Sequence, residues 1–175
     1  MAEEKKDPWL NYLALTTVIF AVCATLSTLK GGGYGSKAVM SQAQASDQWS
    51  YYQAKSIKGY LYELQRDKLD MDLKAGARGA AGEYRKKIQF YQEEINRYKD
   101  EKEEIKKKAE ALEASRDDAQ KHSGAFGLAA MFLQIAILLS SIAALMKQKY
   151  FWFLGLASGA FGLAYFCNGF LLFMK

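Results

Sequence analysis

GAFGLAAMFLQIAILLSSIAALMKQKYFWFLGLASGAFGLAYFCNGFLLFM, residues 124–174, holds no Asp, Glu or Arg, and its only lysines, Lys147 and Lys149, stand in the short break between two apolar runs. Residues 124–146 and 150–174 each exceed the about 20 residues that a helix needs to cross roughly 30 Å of hydrocarbon. Little more than KQK separates them, so the two runs are adjacent antiparallel helices. Toward the other end, LNYLALTTVIFAVCATLSTL, residues 10–29, is a third run without a charge.

Half of the 175 residues are hydrophobic, and these three runs take most of them. A soluble globular domain is thereby excluded, although the mean hydropathy is mildly negative. The segment Gly31 to His122 carries 18 Lys/Arg against 16 Asp/Glu. A coat of balanced sign is a solvated helix surface, whereas a nucleic-acid face is one-sided, so no nucleic-acid partner is expected. The formal charge of +5 owes much to Lys5, Lys6, Lys147, Lys149 and Lys175, which flank apolar runs and bear on topology. Counted over short flanks, a cytoplasmic N terminus places Lys5, Lys6, Lys147 and Lys149 inside and Lys175 outside, and is expected, with the middle region projecting outside. Lys30, Lys37, Arg116 and Lys121 nearly cancel that bias.

The chemical inventory is thin. Both cysteines, Cys23 and Cys167, fall inside apolar runs, and His122 is the only histidine, at the mouth of the second. Neither a closed metal site nor a nucleophile with its base can be assembled, and no CxxC, HExxH, GxSxG or phosphate-loop spacing occurs. No cofactor, no metal and no enzymatic activity are expected. No Asp, Glu, Lys or Arg lies in any span, so the usual signature of proton coupling or cation transport is also missing.

Pro8 suits a first helical turn just after Asp7, and Trp9 and Tyr12 offer interfacial rings. The run that follows is too long for a signal-peptide core of about 7 to 15 residues, so it reads as a retained anchor. GGGYGS then places four glycines in five residues, at 31–35, where the first span is expected to end or hinge.

Tyr84, Ile88, Tyr91, Ile95, Tyr98, Lys102, Ile105, Ala109, Leu112, Arg116 and Ala119 alternate spacings of four and three without interruption, which is a heptad seam. Lys102 and Arg116 on that seam either set register or pack by their aliphatic stems. In the preceding stretch Ala38, Gln42, Ala45, Trp49, Tyr52 and Ser56 form one line, and Ile57, Leu61, Leu64, Lys68, Met71 and Ala75 another, displaced by one position. The step implies a change of phase or a face broad enough for two neighbours. GARGAAG, residues 76–82, is the expected tip of an antiparallel pair whose arms, about 38 residues each, would measure roughly 55 to 60 Å.

In the last run Gly155, Gly159, Gly162, Phe166 and Gly169 recur at four and three, and Ala129, Phe132, Ala136, Ser140 and Ala143 form a comparable stripe in the run before it. Small residues permit the close approach that packs helices in lipid, either between these two spans or between copies. Gln134 and Asn168 are amides in apolar surroundings at similar distances from the connecting turn, placed to meet across the helices as polar packing contacts.

The whole chain resembles the bacterial domain-of-unknown-function 4337 family of small membrane proteins. The resemblance rests on WLNYLALTTVIFAVCATLSTLKGGGYGSK, SQAQASDQWSYYQAKSIK, FLQIAILLSSIAAL and LGLASGAFGLAYFCNGFLLF. It implies a bacterial origin and a three-helix membrane arrangement, and brings no reaction, substrate or catalytic residue with it. The polar segment reads either as a helix packed against the returning arm or as a juxtamembrane collar for a lipid head group, peptide or partner. Asp47 and Lys55 are eight residues apart, too far for one compact acid and base site.

The expected fold is an all-α membrane protein: three transmembrane helices with a long extramembrane antiparallel helical hairpin, a coiled coil, between the first and second. Its parts are a tail at 1–8, spans at 9–29, 123–146 and 150–174, a glycine hinge at 30–36 and a hairpin stalk at 37–122. The expected sites are helix packing at Gly155, Gly159, Gly162 and Gly169, polar contacts at Gln134 and Asn168, and the seam at Ile88, Tyr91, Ile95, Tyr98, Ile105 and Leu112. The expected function is a non-catalytic scaffold in the bacterial inner membrane, partnered by itself, by membrane lipids and by another membrane or envelope protein. The alternative is an oligomeric channel or transport accessory.

Overall fold

The computed structural model describes residues 8–76 and 81–174. Residues 1–7 of the expected tail, with Lys5 and Lys6, residues 77–80 of the expected tip, and Lys175 lie outside the described residues. Three α-helices account for nearly all the rest: α1, Pro8–Lys74; α2, Ala81–Met146; and α3, Lys149–Leu171. Each contains a window long and apolar enough to cross a bilayer, and the chain is an all-helical, multi-pass membrane protein.

One expectation is corrected. No separate helical hairpin or coiled coil stands between the first and second helices; the described residues form only these three helices. The charged residues after the first span belong to α1 itself, and those before the second span belong to α2. The cause lies in GGGYGS. Glycine in a helix interior costs about 1 kcal/mol relative to alanine, which argues for a break when the sequence is viewed alone. Here the missing Cβ atoms let α1 approach α2: a Cβ on Gly31 would lie 3.1 Å from Phe126 Cβ, and one on Gly35 would lie 3.3 Å from Ser123 Oγ. Tyr34, between them, stacks on the rings of His122 and Phe126. Packing thus holds the glycines helical.

The contacts divide the chain into an apolar unit, Met1–Val39 with Arg116–Lys175, and a charged unit, Met40–Ser115. In the apolar unit Phe20, Ala24, Leu133 and Ala136 form a buried cluster from α1 and α2, flanked by Leu156 and Leu163 of α3. Most span hydroxyls are satisfied within their own helix: Thr16, Thr17, Thr25, Ser27, Thr28 and Ser141 each donate to a backbone carbonyl one turn back, whereas Ser158 of α3 donates to Phe132 O of α2. At one end the Trp9 and Trp152 rings lie 6.2 Å apart, and Trp152 Nε1 donates to Thr16 Oγ1. The turn from α2 to α3 is so short that Lys147 takes a positive φ of 51°.

In the charged unit, Ala45 of α1 and Ile95, Tyr98, Ile105 and Ala109 of α2 are buried. Trp49 Nε1 donates to Glu113, Lys55 pairs with Glu101, and Arg66 donates to Gln92. Partner numbers fall on α2 as they rise on α1, so the two segments run antiparallel.

Candidate functional site

The apolar run of α2 begins where a knot of polar contacts joins all three helices. Ser123 Oγ donates to Gly31 O of α1 at 3.0 Å, and His122 Nδ1 lies 2.7 Å from Gly169 O of α3. A carbonyl only accepts, so the imidazole donates from Nδ1, and Nε2 is left toward Asp118, 3.9 Å away. Tyr34 covers the imidazole face with centroids 4.5 Å apart. Below it, Phe126 packs on Phe166 and Phe170.

Gly169 O belongs to the last turn of α3, where helix carbonyls lack intrahelical partners, so His122 both ties two helices and satisfies one orphan acceptor. Asn168 serves the same end: its carbonyl accepts from Leu172, which takes a left-handed conformation, and its Oδ1 accepts from Met174 N at 2.7 Å. The amide therefore closes its own helix and does not meet Gln134, which is exposed on α2. Beside this closure opens a cavity of about 590 Å³, with Lys121 and Asn168 among otherwise largely apolar walls.

The glycines of α3 divide between two neighbours. A Cβ on Gly155 would press on Ala136 O and Ser140 Oγ, one on Gly162 on Leu133, and one on Gly169 on Phe126, all of α2; one on Gly159 would strike the Phe20 ring of α1. Ala129, Ala136, Ser140 and Ala143 are buried on α2. Sequence reasoning left out Phe20, Phe126 and Leu133, of which the last two are fully buried. The available signal was the heptad itself, because Ala119, Phe126, Leu133 and Ser140 continue its frame in steps of seven.

On the charged unit Ile95, Tyr98 and Ile105 of the seam are buried, while Ile88, Tyr91 and Leu112 are half-buried. Lys102 lies over the rings of Tyr52 and Tyr60, at 5.7 and 5.6 Å, which gives the charge on the seam an aromatic partner. The polar segment contributes Trp49 and Lys55 to this packing, while Asp47 is exposed. Hydrogen bonding to Glu101 foremost, then to Tyr51, holds the Lys55 ammonium above the ordinary lysine range. A raised folded-state value means that the stabilisation is complete below the unfolded lysine value and is lost as pH rises through the folded one. The stability difference between wild type and Lys55→Gln, measured by urea unfolding, is therefore expected to stay constant from neutrality to about pH 10 and to shrink above it; a difference that vanished by pH 8 would contradict the pairing.

One face of the charged unit remains uncovered. Ile57, Leu61, Leu64 and Met71, spaced four, three and seven with Lys68 between the last two, are each more than half exposed, and Tyr60 lies beside them. Among the described residues no group of three or more His, Cys, Asp or Glu side chains is arranged to hold a metal ion.

No curated protein and no solved structure matches the chain. The family model described as domain of unknown function (DUF4337) matches residues 9–172, which is nearly the full length and takes in the apolar unit, the knot at His122 and the exposed stripe alike, and the chain belongs to that family.

Proposed function

We propose that this protein is a non-catalytic membrane scaffold that assembles with copies of itself. The observation that carries this reading is the exposed stripe Ile57, Leu61, Leu64 and Met71. Heptad spacing is the pattern that a second helix recognises, because each side chain fits a hole between four of the partner's. Four large apolar residues so aligned on a segment rich in charge are an interaction surface more than a solvated one. Lipid offers no substitute here, since Lys58, Asp67, Lys68 and Asp72 interleave with the stripe. Lys147, between α2 and α3, and Lys149, the first residue of α3, favour a cytoplasmic turn and N terminus in a bacterial inner membrane.

Mass measurement of the full chain in native nanodiscs tests this. A defined oligomer is expected for the wild type, and Leu61→Glu with Leu64→Glu is expected to weaken it by roughly tenfold or more per residue, since burying one leucine contributes about 1.5 to 3 kcal/mol. Unchanged helicity in the variant keeps the comparison clean. A monomeric wild type at every concentration overturns the proposal.

A second reading has one observation in its favour. Gln134 and Ser141, seven residues apart on α2, are both exposed within an apolar span. A ring of copies with that face inward would form a polar-lined pore, and conductance across reconstituted bilayers, abolished by Gln134→Leu, would distinguish a channel from a scaffold.

A further inference from the structure

The cavity of about 590 Å³ beside the C-terminal end of α3 has an order to its walls. Lys121, at its mouth, is exposed and forms no ion pair among the described residues. It stands just before the apolar run of α2, at the level where a span meets the head groups. Asn168 comes next. It is only 4% exposed, its Oδ1 is committed to Met174 N, and its Nδ2 donors have no partner among the described residues. Leu128 and Tyr165 supply apolar surface farther into the span, while Leu172 and Met174, beyond the last turn of α3, flank the outer end. From Lys121 to Leu128 the wall extends about 10 Å along the helix axis, at 1.5 Å per residue.

Cation, then amide donor, then apolar wall is the order in which a phospholipid presents phosphate, ester carbonyls and acyl chain from the surface inward. We infer that this cavity holds one anionic phospholipid. Its phosphate lies against the Lys121 ammonium, an ester carbonyl accepts from Asn168 Nδ2, and an acyl chain runs beside Leu128 and Tyr165. A zwitterionic lipid carries the same phosphate beside its own cation, which weakens the attraction to Lys121, so the site discriminates by net charge. The inference is independent of whether copies of the chain associate.

Native mass spectrometry of the full chain in detergent, titrated with phosphatidylglycerol or phosphatidylcholine of matched chains, is the test. One retained phosphatidylglycerol per protomer is expected, in preference to phosphatidylcholine. Lys121→Gln is expected to reduce its retention about fivefold, equivalent to the about 1 kcal/mol that one basic residue contributes near an anionic surface. Leu128→Trp, which fills the cavity from an exposed position, is expected to reduce retention of both lipids. Helicity and detergent unfolding identical to wild type exclude misfolding as the cause. Glycerol phosphate, which has the anion without the chains, is expected to leave the lipid in place. Equal retention of the two lipids, an unaltered Lys121→Gln, or displacement by glycerol phosphate would each overturn the assignment.

Discussion

Gly162→Leu is expected to unfold the apolar unit at a markedly lower SDS fraction than wild type, with a loss of about 1 to 3 kcal/mol or more. Even the first added carbon would lie 2.7 Å from Leu133 Cγ and 3.0 Å from Leu133 N. A side chain can change rotamer, but the backbone nitrogen belongs to α2 and moves only with the helix. The two helices must therefore separate, and dense packing is the main attraction available to them in lipid. Gly159→Leu provides the comparison. Its added atom meets the tip of the Phe20 ring, which can swing aside, so a smaller loss is expected and it falls on the contact with α1. Tryptophan fluorescence follows both through Trp9 and Trp152, which pack together across α1 and α3. A Gly162→Leu midpoint equal to wild type would mean that α3 does not lie against Leu133.

The second large effect is expected at Ile95, 1% exposed in the charged unit. Ile95→Asp introduces a carboxylate where no solvent reaches, and either its charge is desolvated or it takes up a proton; both routes lower stability, by about 3 kcal/mol or more. Hydrogen exchange on the full chain is the appropriate measurement, because it reads the amides of residues 88–105 separately from those of the spans. Their exchange is expected to accelerate by roughly two orders of magnitude, which is what a loss of about 3 kcal/mol implies. Leu61→Asp, on the exposed stripe, is the control, with protection inside the protomer expected to stay near wild type. Equal exchange in Ile95→Asp and wild type would place Ile95 at the surface.

The membrane spans were legible because charge is the one thing hydrocarbon excludes, and three runs without it stand out in any register. The buried positions between Ile95 and Ala109 coincide with the alternating spacing of four and three, since water demands polar residues on the outer face and thereby makes the inner one visible. The knot at His122 was not legible. Its imidazole reaches Gly169, 47 positions away, and Ser123 reaches Gly31, 92 away, and no local spacing encodes either. Asn168 shows the opposite error: an amide expected to bridge two helices instead closes the end of its own through Oδ1.

What the amino-acid sequence determined by itself is the set of helices able to enter a membrane and, on the charged segment of α2, the face that the helix turns inward; on α1 the line from Ile57 to Met71 proved to be the uncovered one. Both follow from solvation, which acts residue by residue. Tertiary structure alone decided two further matters. The frame that buries Ala119 also buries Phe126, Leu133 and Ser140, yet it fades from view after Ala119 because in lipid the outer face is as apolar as the inner one. The glycines at 31–35 read locally as a break, since glycine weakens a helix considered in isolation. Only the approach of Phe126 and Ser123 shows that the absent Cβ atoms make room for a neighbour, and contact between residues some 90 positions apart is a property no window along the chain contains.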